Sequence, residues 1–197
     1  RRYKVSSPDL VDMPLHKRII LTGKPVILST GMANIKEIKK TVELYKKNQM
    51  KKITLLHCVS NYPCSTKSLN LKVIPKLKKK FNLPIGFSDH SVGNNAAIMA
   101  VGFGATIIEK HFTTNKKLPG ADHFMSMNPK EFSNYVKSIR EAEKQLGSDT
   151  KKVQREEKKF IILARKSMTL RKSMKRGDIL KEKDIIMKRP GSGFNGQ

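Results

Sequence analysis

Five times along its length the chain passes through a short, nearly unbroken apolar run and then into a segment with helical spacing. That alternation constrains the fold more than any other feature. The runs are YKVSS (residues 3 to 7), PVILST (25 to 30), KITLLHCV (52 to 59), PIGFS (84 to 88) and ATIIEKHF (105 to 112). Each is too short and too uniformly apolar to alternate, as expected of a parallel strand covered on both faces. The segments between them have legible helix ends. Asn34 and Glu37 read as a capping box ahead of Ile35, Ile38, Val42 and Tyr45. Asn128, Pro129 and Glu131 spell a second start, followed by the stripe Phe132, Tyr135, Val136, Ile139, Ala142, Leu146 and a stop at Gly147. Pro75 begins a third helix, with Leu77 and Phe81 facing inward.

Five strand-helix units with right-handed crossovers make a parallel sheet, either open and doubly wound or part of a closed eight-stranded barrel. The polar residues choose between the two. Ser29 and Thr30, His57 and Ser60, Ser88 to His90, and Glu109 to His111 cluster at the C-terminal ends of four different runs. A barrel active site is built that way, whereas an open sheet gathers such residues at one switch point. The expected fold is α/β: a partial TIM barrel over residues 1–147, with further strands expected before residue 1. A charged stretch at 148–164 reads as a linker, and 165–197 as the opening of a small second domain, so both ends look cut.

The formal charge of +25 invites a nucleic-acid partner. The lysines, however, are scattered between core positions, as in LKVIPKLKKKF, and no nucleic-acid module is recognisable, so solvated helix faces account for them and no such partner is expected. No stretch approaches the ~18 apolar residues of a membrane span. Cys58 and Cys64 do not form a CxxC pair; Cys58 ends an apolar run and reads as a buried free thiol. A cytoplasmic protein is the default expectation.

His90 and His111 stand 21 residues apart, one strand-helix-strand step, and so should project toward the same mouth. Two imidazoles there can share a divalent metal, or they can be hydrogen-bonded core histidines. Asp89 and Glu109 can orient the rings, or point elsewhere. Lys4, Ser7, Ser29 and Ser88 together suit a phosphate cradle, although a serine after a strand is ordinarily turn chemistry. Tyr62 and Asp122 offer contacts to a polyol, or pack their own loops.

Read together, YKVSS…D…MPL, GKPVILSTGMA, LLHCVSNYP, VIPKLKKKFNLPIGFSDHS, GATIIEKHFT, LPGADH and KRPGSG resemble, in order and near spacing, the sialic acid synthase family, which includes legionaminic and pseudaminic acid synthases and spore-coat polysaccharide enzymes. The resemblance covers essentially the whole chain. It implies barrel strands four to eight, followed by the start of an antifreeze-like domain. It further implies a transferase that condenses phosphoenolpyruvate and water with an N-acetylated amino sugar, such as N-acetylmannosamine, to give a nonulosonic acid and phosphate. In that family His90 and His111 match the ligands of a divalent ion, manganese foremost, with magnesium or cobalt as alternatives. Lys4, Ser29, Ser60 and Ser88 match phosphate-holding positions, and Ser7 one near the carboxylate. Tyr62, Asp122 and Asp9, the last standing where many members have glutamate, match sugar-side positions. Arg189 matches an arginine that reaches into the partner subunit's site, which implies a domain-exchanged homodimer. Without the strands expected before residue 1, the chain alone should be inactive and poorly folded. Two other functions fit parts of the sequence: a different phosphoenolpyruvate-dependent barrel aldolase, which KRPG argues against, and a polyanion-binding protein, which should ignore metal and weaken steeply with salt.

Overall fold

The computed structural model describes residues 1–189, which fall into two units, Arg1–Gly147 and Ser148 onward. In the first unit, strands form at Tyr3–Val5 (β1), Val26–Ser29 (β2), Ile53–Cys58 (β3), Ile85–Asp89 (β4) and Ile108–Lys110 (β5). Helices form at Met13–Leu21 (α1), Ile35–Lys47 (α2), Val73–Phe81 (α3), Asn95–Gly102 (α4) and Pro129–Leu146 (α5). All five expected strands are present, the fourth reaching one residue further, to Asp89.

Pairing is parallel throughout, and the spatial order of the strands is their chain order. A doubly wound sheet would reverse that order at a switch point. The sheet is also curled. Lys4 Nζ on β1 lies 3.2 Å from Glu109 Oε2 on β5, although four strand spacings, about 19 Å if flat, separate the two edges. Lysine and glutamate side chains cannot bridge that span, so the edges bend toward one another as a half-barrel.

Both capping boxes form as the sequence predicts: Asn34 Oδ1 accepts from Glu37 N and Asn128 Oδ1 from Glu131 N, with each glutamate returning to the cap's own N–H. Gly147 ends α5 with φ 53°, where glycine escapes the Cβ penalty. The α5 stripe is narrower than its pattern suggests: Tyr135 and Ile139 are buried, whereas Val136 and Leu146 are exposed. Helix α3 begins at Val73, two residues before Pro75, which falls in the first turn where its missing N–H costs nothing. Helix α1 was not anticipated; Asp12 caps it by accepting from Leu15 N, with Pro14 in the first turn.

Leu28, Leu55 and Ile85 lie in register on the outer, helix-covered face of the sheet and are fully buried. Each such burial is worth about 1.5–3 kcal/mol. Beneath α1 and α2, buried His16 bonds the Leu10 carbonyl through Nε2 (2.9 Å) and the Tyr45 hydroxyl through Nδ1 (2.8 Å). A carbonyl only accepts, so Nε2 carries the proton and Tyr45 donates. This network secures the Pro8–Val11 turn that follows Ser7.

In the second unit, Lys158–Ala164 is a helix (α6) although the surrounding stretch reads as linker; its FIILA run contains no helix breaker. An antiparallel ribbon pairs Ser167–Leu170 (β6) with Ile185–Lys188 (β7). Residues 190–197, including the end of KRPGSG and the tail of the segment expected at 165–197, lie outside the described residues. Among the described residues no helix is long and apolar enough to cross a membrane.

Candidate active site

Register and the two-residue period of a strand assign the site side chains to faces. Ser29 pairs with Leu56, Leu56 with Gly86, Cys58 with Ser88, and Ser88 with Glu109, so these residues share the inner face of the curled sheet. Lys4 belongs to the same face, through its pairing with Ile27 and that of Ile27 with Thr54. His90 and His111, two residues past Ser88 and Glu109, continue it just beyond the strand ends. Gly86 is required there, because a Cβ would overlap the Ile107 carbonyl and the Leu56 side chain.

The two imidazoles come together, with ring centroids 5.3 Å apart and planes at 72°. Tyr62 packs on both, 4.0 Å from His90 and 5.2 Å from His111. His90 Nδ1 donates to the Val59 carbonyl at 2.8 Å, so that Nε2, 3.4 Å from Ser88 Oγ, is the nitrogen that carries the lone pair when the ring is neutral. Asp122 Oδ2 stands 3.8 Å from His111 Nδ1, too far for a hydrogen bond. Burial, then the neighbouring His90, moves the His111 pKa down and keeps that ring neutral. Burial also opposes charge on His90, but the Cys58 thiol and the Val59 carbonyl outweigh it and the net direction is upward. Tyr62, His90, His111, Lys116 and Phe124 line a cavity of about 230 Å³.

A second cluster surrounds Gly31. Its N–H donates to Ser7 Oγ at 3.0 Å, and a Cβ on it would overlap the Ser60 hydroxyl and sit 2.7 Å from that of Ser7. Ser29 Oγ is buried without a hydrogen-bond partner, alone in this among the described residues. A hydroxyl with unspent donor capacity, beside serines gathered around a glycine amide, suits the oxygens of a phosphate. Lys4, half-exposed, is paired with Glu109.

The two carboxylates expected to orient the imidazoles are turned elsewhere, and two further expected residues lie apart from the histidines. Asp89 faces the opposite side of the sheet, where Lys110, Tyr135 and Ser91 take both its oxygens, so it makes no hydrogen bond to His90, whose Nδ1 goes to the Val59 carbonyl instead. Glu109 faces inward but is turned to Lys4 rather than to an imidazole. Asp9 is exposed in the turn after β1 and accepts from Ser6. Arg189, exposed, belongs to the second unit. Sequence reasoning missed two participants, Gly31 and Cys58. Cys58 is a buried free thiol as expected, yet it stands 3.8 Å from His90 Nδ1. Burial resists its ionisation, but contacts with His90, Ser7 and Ser88 lower its pKa overall. Its shared parity with Ser60 was the available signal.

Two imidazoles at one mouth, His111 held toward its neutral form and His90 with Nδ1 engaged by a carbonyl so that Nε2 is its free nitrogen, fit a divalent transition ion. Among the described residues no group of three or more His, Cys, Asp or Glu side chains could hold a metal, so such an ion would complete its shell with water or substrate oxygens.

A model of the NeuB family matches residues 1–151. The chain belongs to the NeuB family. Members similar to it include an uncharacterized protein of Methanocaldococcus jannaschii, 44% identical over 98% of this chain and 57% of the relative. The N,N'-diacetyllegionaminic acid synthase of Legionella pneumophila is 42% identical over 98% of this chain and 56% of the enzyme. Among solved structures, the N-acetylneuraminic acid synthetase of Leptospira borgpetersenii, in complex with citrate, superposes with a TM-score of 0.74 at 39% identity, over 80% of this chain and 55% of that one. The chain spans a little over half the length of these NeuB relatives.

Proposed function

We propose that the chain supplies the metal and phosphoenolpyruvate half of a nonulosonic acid synthase, which condenses phosphoenolpyruvate and water with an N-acetylated amino sugar and releases phosphate. The observation that carries the reading is the convergence of His90 and His111 at the ends of adjacent strands, 5.3 Å apart, in a NeuB-family chain. A divalent ion held by His90 and His111, manganese first and magnesium or cobalt otherwise, would supply Lewis-acid polarisation of the sugar aldehyde. Ser7, Ser29, Ser60 and Ser88 bind and orient phosphoenolpyruvate, with Ser7 Oγ held for it by the Gly31 N–H. Lys4 gives it a cation, exchanging Glu109 for the arriving phosphate. Tyr62 and Asp122, against the histidines, hold the sugar beside that position, and Asp9, in the turn after β1, adds a carboxylate for it.

The whole enzyme in this reading closes an eight-stranded barrel and carries an antifreeze-like domain, whose Arg189 serves the site of the other subunit in a domain-exchanged dimer in the cytoplasm. Relatives named legionaminic, pseudaminic and N-acetylneuraminate-9-phosphate synthases support an acetamido sugar as acceptor. The test is to assay the protein from its complete reading frame with phosphoenolpyruvate, Mn²⁺ and a panel of N-acetylated amino sugars. Phosphate release together with a nonulosonic acid, detected by mass spectrometry with one of them, is expected. Silence with every sugar would contradict the proposal.

A further inference from the structure

Behind the two histidines, on the opposite face of the sheet, lies a buried ion pair that the proposed chemistry does not use. Asp89 and Lys110 face each other in register across β4 and β5. Lys110 Nζ is 3.3 Å from Asp89 Oδ2, and the side chains are 4% and 0% exposed. Asp89 Oδ2 also accepts from the Tyr135 hydroxyl of α5 at 2.7 Å, and Oδ1 accepts from the Ser91 N–H at 2.8 Å and the Ser91 hydroxyl at 2.6 Å. Lys110 donates in addition to the Ser91 carbonyl and stands 5.6 Å over the Tyr135 ring. Burying two charges costs several kcal/mol each, and apolar residues of similar volume often serve stability as well. Stability alone therefore gives little reason for the pair.

Direction gives a better one. Asp89 ends β4 and Lys110 ends β5, each immediately before a histidine, and side chains alternate between faces. A twist of either strand end that broke the pair would swing the next residue's imidazole on the other side. His90 has its own restraint in the Val59 carbonyl. The His111 ring makes no hydrogen bond among the described residues, so its aim depends on its backbone, which the Met127 N–H holds on the far side at the His111 carbonyl (2.9 Å) and the Lys110 side chain ties on the near side to Asp89 and Ser91.

We propose that Asp89 and Lys110, anchored to α5 through Tyr135, are positioning residues that fix the separation and tilt of His90 and His111, and with them the affinity of the pair for a divalent ion. The second part rests on the two-histidine reading above; the first does not. The test compares, in the protein from its complete reading frame, wild type, H111A, Y135F and D89N/K110M by imidazole ¹⁵N spectra of the metal-free proteins and by Mn²⁺ titration followed by electron paramagnetic resonance, with thermal unfolding recorded alongside.

The double variant leaves no unpaired charge and should unfold near the wild-type temperature, yet its His111 signals should move and Mn²⁺ should bind about tenfold more weakly. Y135F, which decides the matter if the double variant does not fold, should shift the same signals less and weaken Mn²⁺ by about threefold. Unchanged imidazole signals in the variants that fold would overturn the positioning role. Moved signals with unchanged Mn²⁺ affinity would overturn the link to the ion. Wild-type protein that binds Mn²⁺ no better than H111A would sink the metal reading, while moved signals would still uphold the positioning.

Discussion

At the ends of β4 and β5 the two faces of one sheet treat polar side chains in opposite ways. On the outer face Asp89, Lys110, Tyr135 and Ser91 spend their hydrogen bonds on one another, with both charges buried. On the inner face, one residue away in sequence, His90 spends Nδ1 on the Val59 carbonyl and leaves Nε2 toward the site, and His111 makes no ring hydrogen bond among the described residues, while Ser29 on β2 keeps a buried hydroxyl unpartnered. A saturated buried network holds backbone in place, whereas polar groups with capacity to spare bind something else. The contrast separates scaffold from site more sharply than burial does, since residues of both faces are largely buried.

The largest expected effect tests the saturated face. Asp89→Ala strands a buried lysine and should destabilise by about 3–5 kcal/mol in urea unfolding, while Ser88→Ala next door should cost about 1 kcal/mol or less. Equal costs would erase the distinction between the faces. Tyr135→Phe removes one hydrogen bond to a charged acceptor and should cost about 1.5–3 kcal/mol in the same measurement. On the unsaturated face, Gly31→Ala pushes back two hydroxyls that can rotate away, so unfolding should shift by under about 1 kcal/mol. Its phosphoenolpyruvate affinity, read by calorimetry, should instead fall clearly. Glu109→Gln should have the smallest effect on stability, about 0–1 kcal/mol, because the pair it breaks is half-exposed. A large loss would mean that the Lys4 bridge curls the sheet rather than reporting that it is curled.

The fold was legible because its signals are local. Five apolar runs mark the strands, and Asn34 with Glu37 and Asn128 with Glu131 mark two helix starts. Helix α1 carried an equally local signal, Asp12 before Pro14, but its stripe is weak, with His16 and Ile19 its buried residues. Of the site, strand parity already places Ser88 with His90 and sets Asp89 apart; adjacency to a histidine suggested support that alternation denies. Cys58 beside His90 and the Val59 carbonyl on its Nδ1 depend on contacts 31 and 32 residues apart in the chain, which no local pattern encodes. Gly31 was unremarkable as a residue; its importance comes from the Ser7 and Ser60 hydroxyls that crowd it.

The central claim is that the inner face at these strand ends binds a divalent ion through His90 and His111, with the phosphoenolpyruvate phosphate beside it among the serines. Anomalous diffraction from crystals of the protein grown with Mn²⁺ and phosphoenolpyruvate tests it directly. A manganese peak is expected within coordination distance of His90 Nε2 and a nitrogen of His111, with the phosphate against the Ser7 and Ser60 hydroxyls. Well-ordered histidines with no manganese between them, or manganese bound elsewhere, would contradict it.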